Sequence, residues 1–240
     1  MKIVLAVDPE GAYQPALEWL KALRFQQAEI ALLSGVEPLR LPLIRVVAPS
    51  PAEVLAHTAE AMEQSARKRI EQIRQDLAPL EIPLTTEVLH GHASTQVLDY
   101  AERFGAHLIA LGGSRKHSLE AFFVGSVMRA VLTSATQSLL IAYTPPPAEK
   151  PLHAVYATDH SEYNARCADT LVTFAPQGLK RIAVATAVEL DEETFKLITQ
   201  ANPALEEAGT EWIIEHLHER NRAVCEKFRT LNVGCESVVV

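Results

Sequence analysis

Short apolar runs alternate with amphipathic stretches along the first 143 residues of the chain. Five runs rich in aliphatic and β-branched residues predict strands, over residues 3–7, 30–36, 84–89, 108–111 and 139–143. Between them, apolar residues recur at helical spacing and predict helices over residues 14–25, 52–77, 94–104 and 126–134. Ser50 and Pro51 form a helix-start signal before the second helix, and Gly105 forms a stop signal after the third.

This strand–helix alternation predicts the α/β class. Strands that alternate with helices form a doubly wound parallel sheet, here five-stranded, with helices on both faces. Ligands bind such sheets outside the carboxyl ends of the strands, where the strand order reverses. Asp8 follows the first strand and Gly112 follows the fourth, so both line one crevice if these strands are neighbours.

The pattern restarts after a Pro-rich segment at residues 144–151, which predicts a stiff linker. Asp159 lies in register with Asp8, 151 residues later. The remaining elements are predicted as strands at 153–158, 182–188 and 236–240 and helices at 164–174 and 211–228. We therefore predict one domain over 1–143, a linker over 144–151, and a second domain over 152–240 that is truncated after its third strand.

Composition narrows the class of protein. The net charge of −8 and pI near 5.6 argue against a nucleic-acid partner. No apolar run reaches the ~18–20 residues of a membrane helix, and Asp8 interrupts the opening too early for a signal peptide, so we expect a cytoplasmic protein without a membrane partner. The three cysteines form no C-x-x-C pair and are predicted to be unpaired and buried. Two histidine pairs, each two residues apart, lack helical ligand spacing, so no metal site is predicted.

The loop between the fourth strand and the next helix, L-G-G-S-R-K-H-S-L-E-A-F-F-V-G-S, carries the candidate chemistry. Gly125 and Ser126 begin a helix, where free N–H groups and the positive end of the helix dipole attract phosphate. Arg115, Lys116 and His117 add positive charge to an otherwise acidic chain. Composition alone also fits a plain connecting loop, since turns commonly use Gly and Ser.

The spacing of this loop resembles that of the universal stress protein family. Gly112, two residues, Arg115, nine residues and Gly125-Ser126 stand where ATP-binding members have Gly, two residues, Gly, nine residues, Gly and Ser or Thr. The segments A-V-D, G-H-A-S, A-E-R-F-G-A-H-L-I-A-L-G-G-S and L-E-A-F-F-V-G-S-V are similar to that family as well. The resemblance covers residues 1–143, and residues 152–240 resemble the first half of a second such domain.

The resemblance implies an adenine-nucleotide site with ATP as the ligand, and Mg²⁺ could bind together with the ATP. Asp8 would contact the adenine or ribose, and Gly35 would pass its backbone against the adenine. The pocket wall and the surroundings of the ribose and phosphates would come from Gly91, Ala93, Gly112, Gly113, Ser114, Arg115, Gly125, Ser126 and Val127. Arg115 departs from the family glycine, so it either clamps a phosphate with its guanidinium or blocks the cradle.

The function predicted from these residues is that of a nucleotide-binding regulator of the stress response rather than a fast catalyst. The sequence has no P-loop, no G-x-G-x-x-G and no G-x-S-x-G, and it shows no base with an Mg²⁺-ligand pair, which leaves only slow ATP hydrolysis open. It also lacks the S-G-G-x-D-S-type loop of the wider nucleotide-hydrolase superfamily. The alternative is a nucleotide-free interaction module with an unidentified protein partner. The resemblance further implies pairing through fifth strands, in a homodimer or within the tandem chain.

Overall fold

The computed structural model describes residues 1–37, 51–113, 125–189, 196, 199–200 and 204–240. The chain divides into two compact units. The first comprises Met1–Ala22 and Gln27–Pro146, and the second comprises Leu23–Gln26 and Pro147–Val240.

Strands and helices alternate through the first unit. Its strands are β1 Lys2–Val7, β2 Glu29–Val36, β3 Leu84–His90, β4 Leu108–Gly112 and β5 Ser138–Ala142. Its helices are α1 Gln14–Leu23, α2 Pro51–Leu77, α3 Ala93–Phe104 and α4 Ser126–Ser134, with a 3₁₀ turn at Ala78–Leu80.

The first sheet is fully parallel in the order β3-β2-β1-β4-β5. β1 pairs with β2 from Lys2↔Glu29 onward and with β4 from Ile3↔Leu108 onward, so the strand order reverses at β1. The predicted doubly wound fold is confirmed. Because β1 and β4 are neighbours, Asp8 and Gly112 emerge side by side at the carboxyl edge of the sheet.

Both faces of the first sheet are buried, as its aliphatic strands predict. One face forms a cluster with α3 and α4 that contains Val4, Ala31, Leu33, Val97, Ala101, Ile109, Leu111, Met128 and Val131. The alternate strand residues point to the other face. On that face, Ile3, Leu5 and Leu32 are fully buried. The helices α1 and α2 also bury apolar side chains, such as Leu17 and Ile73.

Two helix ends show how local signals act. Gly105 ends α3 with φ of +68°, and its N–H donates to the carbonyls of Ala101 and Glu102, so the predicted stop is confirmed. The first helix ends at Leu23, two residues before the predicted end, because Arg24 adopts φ of +48°. Ser50, the predicted N-cap of the second helix, lies outside the described residues.

The second unit forms a parallel sheet of three strands in the order β6-β7-β8. Its elements are β6 Leu152–Ala157, α5 Glu162–Phe174, β7 Leu179–Thr186, α6 Ala204–Phe228, a 3₁₀ turn at Arg229–Leu231 and β8 Gly234–Val239. Gly209, with φ of +66°, interrupts α6. Val155 of β6 is 72% exposed, whereas Val4 of β1, its counterpart in the sequence repeat, is 0% exposed. This sheet fits a partial second copy of the first unit.

The cysteines correct one prediction from the sequence. Cys225 and Cys235 form a disulfide, with Cα atoms 5.5 Å apart, so the prediction of three unpaired cysteines is wrong. Cys225 lies near the end of α6 and Cys235 at the start of β8, and the turn between them returns the chain onto the helix. Cys167 is free.

Candidate functional site at the carboxyl edge of the first sheet

The candidate site is built from the segments that leave the carboxyl ends of the first five strands. Asp8 follows β1, Glu37 follows β2, Gly91 follows β3, Gly113 follows β4 and Tyr143 follows β5. Parallel pairing in register brings these ends to one edge of the sheet. The strand topology alone accounts for this placement.

Asp8 organises the loop between β1 and α1. Its carboxylate Oδ2 accepts a hydrogen bond from the backbone N–H of Glu10 at 2.9 Å, and Oδ1 accepts one from the N–H of Tyr13 at 2.8 Å. Tyr13 is 8% exposed, and its burial raises the pKa of the phenol while the nearby Arg69 lowers it. Each carboxylate oxygen has a second lone pair, so Asp8 can hold its loop and still accept from a ligand.

The predicted glycines after β4 both have a packing reason within the first unit. A Cβ on Gly112 would lie 1.7 Å from the carbonyl oxygen of Ala12, and a Cβ on Gly113 would lie 2.3 Å from the ring of Tyr143. The N–H of Gly113 also donates to the carbonyl of Ala142 at 2.9 Å. Both residues are therefore required to be glycine by neighbouring protein atoms.

The structure brings together the predicted residues of β2 and α3. A Cβ on Gly35 would lie 3.3 Å from the Cβ of Ala93, so the first residue of α3 packs against the β2 backbone. Gly91 has φ of +122°, which only glycine adopts freely, and its N–H donates to the carbonyl of Val36. Oε1 of Glu37 accepts from the N–H of Ala93 at 3.1 Å and thereby caps α3.

Gly125, Ser126 and Val127 form the beginning of α4. Gly125 is the N-cap, with φ −56° and ψ 157°, and no described side chain accepts from the first N–H groups of the helix. A Cβ on Gly125 would meet no described atom within 4 Å. Gly125 and Ser126 are exposed, and the first turn contains no acidic residue. This helix start can receive an anion through its N–H groups and the helix dipole.

The other two predicted site residues, Ser114 and Arg115, lie outside the described residues. The charges that the described part of this edge does supply, from Asp8, Glu10 and Glu37, are negative. Charge at this edge thus favours the α4 start over the β1 and β2 loops as the place for a phosphate group.

Three residues at this edge escaped the sequence analysis, namely Glu37, Ala12 and Tyr143. Glu37 carried a signal, because it follows β2 as Asp8 follows β1. Tyr143 was placed only as the end of a strand, and its hydroxyl donates to Sδ of Met128 at 3.3 Å. No feature of the sequence pointed to Ala12, because it contacts Gly112 through its backbone carbonyl and not through its side chain.

The corresponding edge of the second unit is occupied by a buried polar network. Thr186 Oγ1 donates to Oδ1 of the fully buried Asn221 at 2.8 Å, and Nδ2 of Asn221 donates to the carbonyl of Val238 at 2.9 Å. Nε2 of His160 lies 3.0 Å from Thr186 Oγ1. Because the hydroxyl hydrogen is already donated to Asn221, His160 must be the donor through Nε2–H. Burial, then the Arg220 guanidinium, lowers the pKa of His160.

Among the described residues, no group of three or more His, Cys, Asp or Glu side chains could hold a metal ion. No helix among those residues is long and apolar enough to cross a membrane.

The doubly wound sheet, whose strand order reverses at β1, defines an α/β protein with its candidate site at the carboxyl edge of the sheet. Residues 1–142 match the model of the universal stress protein family, and the chain belongs to that family. A curated universal stress protein of Methanocaldococcus jannaschii is 25% identical over 104 residues. That alignment covers 43% of this chain and 59% of the relative, so the chain spans less than two thirds of the relative's length.

Solved structures resemble the fold. A universal stress protein from Archaeoglobus fulgidus aligns with a TM-score of 0.60 at 16% identity, covering 99% of this chain and 77% of that one. This likeness extends over both units and shows the α/β fold. A family protein from Arabidopsis thaliana, solved with AMP bound, is 12% identical with a TM-score of 0.44 and covers 63% of this chain and 95% of that one.

Proposed function

We propose that this universal stress protein is a regulator that binds an adenine nucleotide, ATP in the first instance, at the carboxyl edge of its first sheet. The phosphates lie at the start of α4, against the N–H groups that follow Gly125, and the adenosine lies toward Asp8 and Gly35. Binding shifts the population of conformations that partners recognise, and turnover is slow or absent. Mg²⁺ accompanies the phosphates when ATP is bound.

The observation that supports this proposal is that no contact among the described residues requires glycine at position 125. The φ and ψ of Gly125 suit any residue, and a Cβ there would meet no atom of the described residues within 4 Å. Gly112 and Gly113, in contrast, are held to glycine by Ala12 and Tyr143. A glycine at an exposed helix start, with no packing cause among the residues that the structure describes, is accounted for by close approach of a ligand to the backbone.

The roles proposed for the remaining residues follow from this placement. Ser126 and Val127 offer the first N–H groups of α4, and the Ser126 hydroxyl adds a donor. Gly91 and Ala93 shape the wall between β3 and α3. Ser114 and Arg115 remain predicted phosphate neighbours, with Arg115 as a clamp.

The test compares two glycines that tolerate a methyl group equally well. Gly125→Val should abolish calorimetric binding of ATP, and Gly125→Ala should weaken it at least tenfold, while the unfolding temperature stays within a few degrees of wild type. Gly234→Ala is the control, since a Cβ there meets nothing closer than 3.6 Å and the residue lies in the second unit. It should leave ATP affinity unchanged.

Mass spectrometry of gently purified protein for co-purified nucleotide completes this test. If Gly125→Val binds ATP with unchanged affinity, the proposed position of the phosphates at the start of α4 is wrong. Absence of both co-purified nucleotide and calorimetric binding by wild type would refute the nucleotide proposal as a whole.

A second candidate function, a nucleotide-free interaction module, is favoured by two observations. Gly112 and Gly113 are explained by internal packing, and Asp8, Glu10 and Glu37 make the described β1 and β2 loops acidic. In this case the same experiments show no nucleotide, and the stability of the first unit does not depend on ATP. Thermal unfolding with and without ATP separates the two functions, because a ligand that binds the native state raises the unfolding temperature.

We also propose association through β5. This strand is at the edge of the first sheet, with its pairing to β4 on one side only. An edge strand presents unpaired N–H and C=O groups to a second strand. Light scattering of the full chain tests this association, and a monomer at all concentrations would contradict it.

A further inference from the structure

The seam between α6 and β8 in the second unit joins a helix to a strand by three contacts of different chemistry. The contacts are His218 Nδ1 with Ser237 Oγ at 2.7 Å, Asn221 Nδ2 with the Val238 carbonyl at 2.9 Å, and the disulfide of Cys225 with Cys235. On the helix these residues are three and four positions apart, so they lie on one face. The disulfide is the covalent member of the seam and closes the end nearest the turn at Arg229–Leu231.

The two cysteines of this disulfide differ in exposure. Cys225 is 6% exposed, whereas Cys235 is half-buried at the start of β8. A thiolate attacks a disulfide in line at one sulfur and needs access to it. We therefore expect small thiols to attack at the more exposed Cys235 rather than at the buried Cys225.

We propose that Cys225 and Cys235 form a reversible thiol–disulfide exchange site for low-molecular-weight thiols of the glutathione class, in which Cys235 is the sulfur that exchanges. The site is separate from the candidate nucleotide site, since it lies wholly in the second unit. The sequence contains no C-x-x-C motif, and a separation of ten residues between two cysteines does not by itself predict such a site.

The exchange balances with glutathione as the co-reactant. In closure, the Cys235 thiolate attacks glutathione disulfide, forms a mixed disulfide and releases one glutathione thiolate. The Cys225 thiolate then attacks Cys235 Sγ, forms the intramolecular disulfide and releases the second glutathione. The two cysteine thiols lose two electrons and two protons, and glutathione disulfide gains them as two glutathione thiols. Opening is the reverse, beginning with attack of a glutathione thiolate on Cys235.

Opening leaves the second unit folded but less stable. The His218 and Asn221 contacts do not involve sulfur, so α6 remains on β8 after reduction. The disulfide restricts the unfolded chain by closing a loop of about ten residues, and this restriction is lost. We expect reduction to lower the unfolding temperature of the second unit by roughly 5–15 °C, given the typical effects of such loops and the size of the unit.

The experiment equilibrates the full chain with glutathione and glutathione disulfide at graded ratios, quenches it in acid, and labels free thiols with a maleimide in denaturant. Intact mass then counts the labels. We expect a shift between one label, on Cys167, and three labels across the series. Cys167→Ser is the matched control, which should show the same loss of two labels on oxidation and the same change in unfolding temperature.

Variants made in a Cys167→Ser background, each of which keeps one of the two paired cysteines, test which sulfur exchanges. With glutathione disulfide, Cys225→Ser should accumulate one glutathione adduct on Cys235, and Cys235→Ser should accumulate none on the buried Cys225. An adduct on Cys225 but not on Cys235 would overturn the assignment. The proposal as a whole fails if native wild type keeps three labels at every ratio, or keeps one label under excess glutathione. It also fails if oxidised and reduced protein unfold at the same temperature.

Discussion

Replacing Gly112 with alanine places a methyl group where the backbone of the β1–α1 loop already lies. The added Cβ would be 1.7 Å from the carbonyl oxygen of Ala12 and 2.7 Å from the Cα of Tyr13. This loop cannot move away freely, because Asp8 accepts hydrogen bonds from two of its N–H groups and Tyr13 is buried. The clash must therefore displace β4, the loop or both.

The cost of this substitution follows from the nature of the clash. Extra methylene-sized groups in a packed interior cost about 1–3 kcal/mol, and backbone on the opposing side leaves no rotamer to relieve the contact. Loss of glycine's freedom in the unfolded chain returns less than about 1 kcal/mol. We expect Gly112→Ala to lower the free energy of unfolding of the first unit by about 2 kcal/mol or more, which corresponds to roughly 5–10 °C in unfolding temperature.

Tryptophan fluorescence can follow the first unit alone. The chain has two tryptophans, Trp19 in α1 and Trp212 in α6. In a Trp212→Phe background, Trp19 reports on the first unit during urea unfolding, and Gly125→Ala serves as the matched control because its Cβ meets no described atom. A change within about 0.5 kcal/mol of the control, at equal denaturant slope, would refute the packing argument for Gly112.

Three further outcomes concern the second unit. Asn221→Ala should destabilise it by about 2–4 kcal/mol in urea unfolding, since the buried Thr186 hydroxyl and the partly buried Val238 carbonyl lose their partner, and a cost under about 0.5 kcal/mol would contradict this. Burial raises the pKa of Tyr156 to about 12, so stability present below pH 10 should fall by about 1–2 kcal/mol as pH rises from 10 to 12. Tyr156→Phe should remove that loss, while Tyr163→Phe, at a residue 71% exposed, should keep it. Because the pKa of His160 is lowered, the second unit should keep its full stability above pH 6.5 and lose part of it as the pH falls below that value. If His160→Gln leaves the pH dependence of stability unchanged, this expectation is refuted.

Much of the fold could be predicted from local patterns. The five strands of the first unit and the Gly105 helix stop depend on residues close together in the chain, and their structures agree with the prediction within a few residues. The end of α1 was missed because Arg24 adopts a left-handed φ, which its side chain does not announce. Element boundaries of this kind depend on how the following chain packs.

The candidate site was predicted less completely than the fold. The spacing of Gly112, Gly125 and Ser126 marked the loop, and the carboxyl ends of β1 and β4 do lie side by side. The sequence did not distinguish glycines needed for internal packing from a glycine left open to a ligand. That distinction separates Gly112 from Gly125, and it depends on which atoms of distant segments surround each backbone.

Hydrophobic periodicity along the chain predicts the order of strands and helices, because it depends only on residues that are neighbours in the sequence. Which residues become neighbours in space is set by the three-dimensional fold. It placed Ala12 against Gly112, Glu37 on the start of α3, and Cys225 beside Cys235. These pairings arise where the chain returns on itself, and periodicity carries no information about which side chains then meet.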